Sequence, residues 1–262
     1  MKKSKVNHSE MMQDTNKCVL VTASSKGLGK AIAQTFADYG YDIILHGRDV
    51  NKVKKTKKLL EKNNIKVYDI VGDLTDSNFI TQLSKISENK ISVLVNNAAI
   101  PCYGLPLNDM KYEQIAESLN TNLISPILLS QKIYPLFKKQ GYGSIININS
   151  IVGKEPKKFR SVHSATKWGL KGFSKSLRIE AEEDGIKVIN VYPTRIKTVK
   201  EYTYGLEPKL VAEQIYNEYV NGKNKGELII DGRPKKSFEL NKLTTNFGDV
   251  LADKVTEEGD TD

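Results

Sequence analysis

Short strand-like segments alternate with helix-like segments along most of this chain of 262 residues, and this order constrains the fold more than any other feature. Strand-like runs lie at 17–21, 42–45, 66–70, 91–95, 144–149, 187–191 and 227–230, and helical apolar spacing lies at 29–39, 51–62, 77–87, 112–139, 164–183 and 208–220. Successive strands that are separated by helices require crossover connections, which make the strands parallel. The pattern therefore predicts an α/β fold, a parallel sheet of about seven strands with helices on both faces.

The two ends of the chain differ from the segment between them. Residues 1–16 are polar and lack periodicity, which predicts a flexible N-terminal tail. Residues 249–262 contain six acidic residues and one lysine, which predicts an acidic, solvated C-terminal tail. Since neither a repeat nor a low-complexity linker interrupts residues 17–248, we expect one doubly wound, Rossmann-like domain there.

Composition excludes several classes of protein. Hydrophobic residues make up 39% of the chain and charged residues 27%, as in ordinary globular proteins, and no apolar run suits a membrane-spanning helix or a signal peptide. The two cysteines, Cys18 and Cys102, have no Cys/His cluster around them, which indicates buried reduced thiols and no metal site. We therefore expect a soluble cytoplasmic protein with no membrane partner.

The net charge of +9 is compatible with a nucleic acid or with a phosphate-bearing ligand. The basic run KVKKTKK at 52–58 is typical of the solvated face of a helix, and no nucleic-acid-binding motif accompanies it. We therefore expect no nucleic acid partner, and the positive charge favours a phosphorylated small molecule.

A glycine-rich turn, VTASSKGLGKAIA, joins the first strand to the first helix. Gly27 and Gly29 lack the Cβ atoms that would keep a phosphate away from the backbone N–H groups and the helix N-terminus, and Lys26 adds a positive charge. The pattern by itself is also compatible with a tight loop that binds nothing. Its place after the first strand favours a dinucleotide site.

The end of the second strand, IILHGRD, indicates which dinucleotide is bound. In a doubly wound fold this position faces the adenosine ribose, where a carboxylate would bind the 2′-hydroxyl of NAD. Here Gly47 offers no carboxylate, and the guanidinium of Arg48 suits the 2′-phosphate of NADP(H). Asp49 is predicted to cap the next helix. The alternative for Arg48 is a solvated surface charge.

Several segments, in order from Lys17 to about Arg233, resemble motifs of the short-chain dehydrogenase/reductase family. TASSKGLG resembles the motif TGxxxGxG, with Ala23 in place of the first glycine, and VYPTRIKT resembles the family's PG-containing stretch, with Thr194 in place of the glycine. GDLT at 72–75 resembles the adenine-contacting segment, and NNAA at 96–99 resembles the motif NNAG beside the cofactor. The resemblance implies NADP(H) as cofactor. The implied cofactor-binding residues are Thr22, Ser24, Ser25, Lys26, Gly27, Leu28, Gly29, Arg48, Asp73, Leu74, Asn97, Ala98, Ala99, Lys167, Pro193, Thr194, Ile196 and Thr198.

The resemblance also implies a catalytic set, in which one residue departs from the family. Asn122 matches the active-site asparagine that keeps a water, Ser150 the serine that binds the substrate oxygen, and Lys167 the lysine of YxxxK. The segment HSATK places His163 four residues before Lys167, where the family has its catalytic tyrosine. No tyrosine lies between Ser150 and Lys167 to replace it.

The histidine leaves three interpretations open. His163 could act as the general acid or base in place of tyrosine, because the ordinary pKa of histidine, about 6.5, is close to neutrality. Against this, a neighbouring Lys⁺ depresses that pKa, and imidazole is shorter than phenol. The second interpretation is that hydride transfer is weak or lost, and the third is that the histidine is an introduced substitution. His46 is predicted to pack near the adenine edge and not to catalyse.

The predicted function is hydride transfer between NADP(H) and a carbonyl/alcohol substrate, and the alternative is a silent homologue that binds the dinucleotide as a regulator or scaffold. Residues 199–207 form a short lid, which implies an open pocket for a small-molecule or tethered substrate, with Cys102, Tyr103 and Leu105 on the opposite wall. Two helices carry apolar stripes, at Ile115, Leu119, Leu123 and Ile127 and at Leu170, Phe173 and Leu177. By resemblance these pair in a homodimer or homotetramer, but the stripes are equally compatible with covering the sheet.

Overall fold

Seven parallel strands form one sheet in the computed structural model, which describes residues 17–87, 91–198, 204–222 and 225–233. The strands are β1 (Cys18–Val21), β2 (Asp42–Gly47), β3 (Val67–Val71), β4 (Ile91–Asn96), β5 (Gly143–Ile148), β6 (Ile186–Pro193) and β7 (Glu227–Ile230). The helices are α1 (Gly27–Asp38), α2 (Val50–Leu60), α3 (Ser77–Ser87), α4 (Tyr112–Leu119), α5 (Ser125–Gln140), α6 (Ser161–Glu182) and α7 (Pro208–Asn221). The predicted Rossmann-like α/β fold is confirmed.

The strand order places a binding crevice beside β1. The order is β3-β2-β1-β4-β5-β6-β7, and each neighbouring pair is parallel. The chain leaves β1 toward β2 and β3 on one side and later returns to β4 on the other. Connections on the two sides therefore diverge at the carboxyl ends of β1 and β4, which is where doubly wound sheets bind ligands.

Each face of the sheet has its own hydrophobic core, because side chains alternate along every strand. Val19 and Val21 of β1 face a core that contains Ile32 and Phe36 of α1 and Ile215 of α7. Cys18 and Leu20 face the opposite core, formed with apolar side chains of α3 and α5 such as Leu83, Ile133 and Phe137. The central strands β1 and β4 are therefore buried on both sides, which explains why their sequences are almost entirely apolar. Neither cysteine forms a disulfide within the described residues, and both are buried, as expected.

Buried amides cross-link the sheet on the side of α5 and α6. Asn96 Nδ2 donates to Asn147 Oδ1 at 2.8 Å and to Ser130 Oγ at 3.1 Å, and Asn147 Nδ2 donates to Ser174 Oγ at 2.9 Å. Buried amides require such partners, so these bonds set the positions of α5 and α6 on the sheet. Asn149, just beyond β5, continues the pattern by donating from Nδ2 to the carbonyl of Lys167 at 3.0 Å.

Several predicted boundaries shift in the structure. Helix α1 begins at Gly27 and not at residue 29, and α6 begins at Ser161 and not at 164. The predicted helix over 112–139 is interrupted by a π-helical turn, Asn120–Ile124, which apolar spacing does not reveal. The predicted tails, 1–16 and 249–262, and residues 234–248 lie outside the described residues, so the division into one domain and two tails stays a prediction.

Candidate active site

The turn between β1 and α1 brings its backbone close to the start of the helix. Gly27 has φ +53°, and a Cβ on Gly29 would collide with the carbonyl oxygen of Ala23. The side chain of Lys26 is exposed and makes no capping hydrogen bond to α1. The first N–H groups of α1 are therefore placed to receive an anion such as a phosphate.

The end of β4 holds this turn from one side. Thr22 Oγ1 accepts hydrogen bonds from the backbone N–H groups of Asn97 at 2.8 Å and Ala98 at 2.9 Å. In return, Asn97 Nδ2 donates to the carbonyls of Thr22 at 2.9 Å and Ala23 at 3.3 Å. The motif NNAA and the glycine-rich turn, predicted separately as cofactor-binding segments, thus lie against each other.

The end of β2 holds the turn from the other side. Ser24 N–H donates to the His46 carbonyl at 2.8 Å, and Ser24 Oγ accepts from His46 N–H at 3.0 Å. His46 Nδ1 also accepts from the N–H of Ala23 at 3.0 Å. A backbone N–H can only donate, so Nδ1 carries no proton and Nε2 donates to the Gly72 carbonyl at 3.1 Å. Burial lowers the pKa of His46 to about 4.

The two basic residues predicted to bind the 2′-phosphate sit on neighbouring turns. A Cβ on Gly47 would come within 3.0 Å of Ser25 Oγ, so the turn that carries Arg48 packs on the turn that carries Lys26. Arg48 lies 3.7 Å from the Asp73 carboxylate, with both side chains about half exposed. Such an exposed pair is weak, and it leaves the guanidinium accessible.

Asp49 caps α2, as predicted. Its Oδ1 accepts from the N–H groups of Asn51 at 2.9 Å and Lys52 at 3.0 Å. These bonds, the one to Lys52 first, hold the pKa of Asp49 below its usual range. The basic run that follows forms the exposed face of α2, whereas Val53 and Leu60 are buried. Asp49, the first carboxylate after β2, is therefore already bound to the N-terminus of α2.

The predicted adenine-contacting residues follow β3. Asp73 accepts from the N–H and the hydroxyl of Thr75, both at 2.9 Å. The backbone bond from Thr75 is the main cause that lowers the pKa of Asp73, and the nearby Arg48 adds to it. Leu74 is buried, and its carbonyl accepts from Ser125 Oγ at 2.8 Å. These hydrogen bonds therefore fix the backbone of Asp73 and Leu74 beside the end of β2.

Asn122 lies inside the π-helical turn and fixes the loop after β4. Its Oδ1 accepts from the N–H of Ile100 at 2.8 Å, and its Nδ2 donates to the Ile100 carbonyl at 2.9 Å. Nδ2 also donates to Ser118 Oγ at 3.3 Å. These bonds fix the side-chain amide against the loop after β4, which forms a wall of the pocket. That Asn122 also keeps a water stays a prediction.

Ser150 and Lys167 are joined through Asn149. Asn149 accepts at Oδ1 from the N–H of Ser150 at 2.8 Å, and it donates at Nδ2 to the carbonyl of Lys167. The buried Nζ of Lys167 donates to the carbonyl of Ile148, the last residue of β5, at 3.1 Å. Burial lowers the pKa of Lys167 to about 8. The predicted serine and lysine therefore meet at the carboxyl end of β5.

His163 lies one helical turn before Lys167, so both side chains occupy the same face of α6. It is buried, and its Nδ1 has no hydrogen-bond partner among the described residues. Its ring meets the ring of Tyr103 edge to face, with centroids 5.6 Å apart. Burial, followed by the charges of Lys167 and Arg160, lowers the pKa of His163 to about 3. The imidazole is therefore neutral at neutral pH.

The loop after β4 forms one wall around His163. Gly104 N–H donates to the carbonyl of Phe159 at 3.0 Å, which ties the loop to the residues that precede α6. The guanidinium of Arg160 lies 4.5 Å from the centroid of Tyr103. Phe159 has φ +58°, an unusual backbone conformation for a bulky residue beside a site. Burial also raises the pKa of the Cys102 thiol in this wall.

The segment after β6 approaches the glycine-rich turn. Thr194 N–H donates to the Ile230 carbonyl at 3.0 Å, and Thr194 Oγ1 accepts from Gly232 N–H at 2.9 Å. Ile196 forms a parallel bridge with Leu206. A Cβ on Gly27 would lie 3.3 Å from the Thr198 methyl, so these two predicted cofactor-binding residues are in contact. Residues 199–203 of the predicted lid lie outside the described residues.

Comparison with known proteins identifies the family. A sequence profile described as short chain dehydrogenase matches residues 17–204. The chain belongs to the short-chain dehydrogenase family. A 3-oxoacyl-(acyl-carrier-protein) reductase of Buchnera aphidicola is 34% identical over 190 residues, which cover 71% of this chain and 76% of that protein. An uncharacterized oxidoreductase of Staphylococcus aureus (strain USA300) is 27% identical over 209 residues, 77% of this chain and 90% of that protein.

Solved structures show the same fold. A metagenomic short-chain oxidoreductase in complex with NADP has a TM-score of 0.75 and 26% identity, covering 84% of this chain and 99% of that one. A short-chain dehydrogenase from Sphingobium yanoikuyae in complex with NADPH has a TM-score of 0.75 and 23% identity, covering 86% of this chain and 91% of that one. In the described part of this short-chain dehydrogenase, no helix could span a membrane and no group of three metal-ligand residues occurs.

Sequence reasoning missed two residues of this short-chain dehydrogenase that hold the site together. The apolar pattern places Asn149 at the end of a predicted strand, and no sequence pattern assigns it to Lys167. His46 was expected only to pack, yet it binds both Ala23 and Gly72. The sequence did contain one signal for His46, the alanine at position 23 where the family motif has glycine. In the structure Ala23 has φ +50°, which alanine adopts only with support from a neighbouring residue.

Two buried neutral histidines predict a loss of stability in acid. Unfolding exposes imidazoles with a pKa of about 6.5. Below that pH the unfolded chain therefore binds two protons that His46 and His163 do not bind in the folded chain. The stabilisation is full above about pH 6.5 and decreases as the pH falls toward the folded pKa values, about 4 and about 3. Each histidine therefore lowers the free energy of unfolding by about 2 kcal/mol at pH 5 relative to pH 7.5.

Urea unfolding of the native chain, His163→Phe and His163→Gln at both pH values measures this. We expect both variants to lose about 2 kcal/mol less than the native chain on acidification. Phe and Gln differ in polarity but neither titrates, so agreement between them assigns the effect to the proton. An equal loss in all three proteins would contradict the neutral state of folded His163.

Proposed function

We propose that this short-chain dehydrogenase is an NADP(H)-dependent oxidoreductase that transfers a hydride between the nicotinamide and a carbonyl/alcohol substrate. The observation that carries the proposal is one crevice at the carboxyl edge of the sheet. On one side of it lie the glycine-rich turn and the N-terminus of α1, which no side chain caps. On the other side Asn149 links Ser150 to Lys167.

The residues of the crevice fit NADP(H). The start of α1 suits the pyrophosphate, and Lys26 and Arg48, on packed neighbouring turns, suit the 2′-phosphate. Asp49, the first carboxylate after β2 along the chain, is engaged as a helix cap, and the exposed pair between Arg48 and Asp73 is weak. The NADP complex of the metagenomic relative supports the same choice. When bound, the cofactor supplies or accepts the hydride.

The catalytic chemistry that we propose starts from a neutral imidazole. In the direction of reduction, Ser150 Oγ and an N–H of His163 bind the carbonyl oxygen and polarise the bond. The alkoxide oxygen that forms takes a proton from the His163 N–H, and a water carries a proton from the buried ammonium of Lys167 to the other ring nitrogen. The imidazole stays neutral in its other tautomer, and solvent returns a proton to the Lys167 amine before the next turnover. A pKa of about 8 makes Lys167 an adequate proton reservoir near neutral pH.

A second candidate function follows from the environment of the same histidine. With a pKa of about 3 and no partner at Nδ1 among the described residues, His163 is a weak base and is never an imidazolium at neutral pH. A chain that binds NADP(H) but transfers hydride slowly or not at all would serve as a regulator or scaffold. The variants His163→Ala and His163→Tyr distinguish the two functions.

The substrate that we propose is a small-molecule or tethered carbonyl compound. The relative from Buchnera aphidicola is named for a 3-oxoacyl substrate on a carrier protein, so a 3-oxoacyl thioester belongs in the test panel beside simple aldehydes and ketones. A cytoplasmic location, where thiols stay reduced, suits two cysteines that form no disulfide within the described residues. We propose no nucleic acid and no membrane as partner.

NADPH is expected to bind at least about tenfold more tightly than NADH, because Arg48 adds charge-assisted bonds to the 2′-phosphate. Isothermal titration measures both affinities for the native chain, Arg48→Ala and Lys85→Ala. We expect Arg48→Ala to weaken NADPH about tenfold and to leave NADH unchanged. Lys85, an exposed lysine of α3, is the charge-matched control and is expected to bind both cofactors as the native chain does. Equal affinity of the native chain for NADH and NADPH would refute the preference.

The role of residue 163 is tested by NADPH oxidation with the carbonyl panel. We expect His163→Ala to lower kcat about 100-fold, the usual loss of a proton donor, and His163→Tyr to raise it above the native value. The native kcat for reduction is expected to fall as the pH rises through about 8, where Lys167 loses its proton. If only His163→Tyr turns over, the native chain is the silent homologue. An unchanged rate in His163→Ala would refute both assignments.

We also propose a homodimer or homotetramer, through the stripes predicted on α4, α5 and α6. The stripe residues other than the buried Leu170 are only half-buried in the single chain, and Ile179 on α6 is 75% exposed. Light scattering after size exclusion is expected to give twice or four times the chain mass of 29.4 kDa. Ile179→Asp is expected to shift the mass toward the monomer, with the exposed Asn78→Ala of α3 as control. A monomeric native chain would contradict the proposal.

A further inference from the structure

The turn that we assign to the phosphates contains an alanine with a left-handed backbone. Ala23 has φ +50°, a conformation that glycine adopts freely and that the Cβ of alanine disfavours. The carbonyl of this residue is also the group that a Cβ on Gly29 would strike, and it accepts from Asn97 Nδ2. The orientation of one peptide group therefore sets how closely the turn approaches the start of α1.

A side chain from β2 supports that orientation. His46 Nδ1 accepts from the N–H of Ala23 at 3.0 Å, beside the main-chain bond from Ser24 N–H to the His46 carbonyl at 2.8 Å. Any residue at position 46 would form the main-chain bond. The bond to Ala23 needs an acceptor atom in the side chain, so it depends on the identity of residue 46.

The same imidazole also contacts the segment that follows β3. Nε2 donates to the carbonyl of Gly72, directly before Asp73, at 3.1 Å. The ring of Phe79 packs on His46, with centroids 5.5 Å apart, and covers Gly72 so closely that a Cβ there would clash. The imidazole thus joins the phosphate turn after β1 to the adenine segment after β3.

We propose that His46 is a positioning residue for NADP(H), which holds Ala23 in the conformation that a glycine would adopt unaided. The inference rests on the proposed function, since it assumes that the turn binds the dinucleotide. It also explains how the chain keeps this turn although Ala23 stands where the family motif has glycine. His46 acts through Ala23 and Gly72 and does not itself touch reacting atoms.

A double-mutant cycle tests the proposal by isothermal titration of NADPH against the native chain, His46→Ala, Ala23→Gly and the double variant. We expect His46→Ala to weaken NADPH binding about tenfold, a loss of about 1.4 kcal/mol. In the Ala23→Gly background the same substitution is expected to cost less than about threefold, because glycine needs no support at φ +50°. A purely structural role of the buried ring would give the same loss in both backgrounds, and that result would overturn the proposal.

A second pair of variants keeps the test decisive if His46→Ala does not fold. The side-chain oxygen of His46→Asn lies at about the place of Nδ1 and can accept from Ala23, whereas His46→Gln places its amide nearer to Nε2. We expect His46→Asn to bind NADPH within about threefold of the native chain and His46→Gln to bind about tenfold more weakly. Equal affinities of these two variants would overturn the proposal. Failure of the native chain itself to bind NADPH would instead contradict the proposed function, on which this inference depends.

Discussion

The hydrogen-bonded pairing of β1 with both β2 and β4 is the constraint on which the rest of the structure depends. β1 has only four residues, and all are buried between the two cores. β2 lies on one side of β1 and β4 on the other, so the connections that leave the two sides diverge. They leave a crevice open at the carboxyl end of β1. The glycine-rich turn, NNAA and the end of β2 meet there because their strands are neighbours.

Burial sets the ionisation of His163 and Lys167, two of the residues that we propose to be catalytic. Lys167 and His163 lie on the same buried face of α6, where removal from water disfavours both charged forms. Lys167 is held by the Ile148 carbonyl and by the Asn149 link, and its lowered pKa keeps it an exchangeable proton source. His163 has no such partner at Nδ1 among the described residues. Burial and the charges of Lys167 and Arg160 keep it neutral, so the proposed mechanism uses its N–H as a hydrogen-bond donor.

Most of the fold and part of the site were predictable from local patterns. The strand segments were placed correctly because each is a short run rich in apolar, mostly β-branched residues between helical segments, as in VYDIV of β3 and ISVLVN of β4. The cap at Asp49 was predictable because its bonds lie within three residues. The π-helical turn around Asn122 was not, since apolar spacing at 112–139 is compatible with an ordinary helix, and the bonds that use Asn122 come from Ile100, 22 residues earlier.

The sequence by itself determined the fold class, the family and the identity of the residues at the motif positions, including the unexpected Ala23, His46 and His163. These properties follow from order and spacing along the chain. Only the tertiary structure decided which of these residues meet and how they ionise. The bond from Ala23 to His46 spans 23 residues, and the low pKa of His163 comes from burial and from charges around it. Contacts and desolvation depend on distances in space, which sequence spacing does not encode.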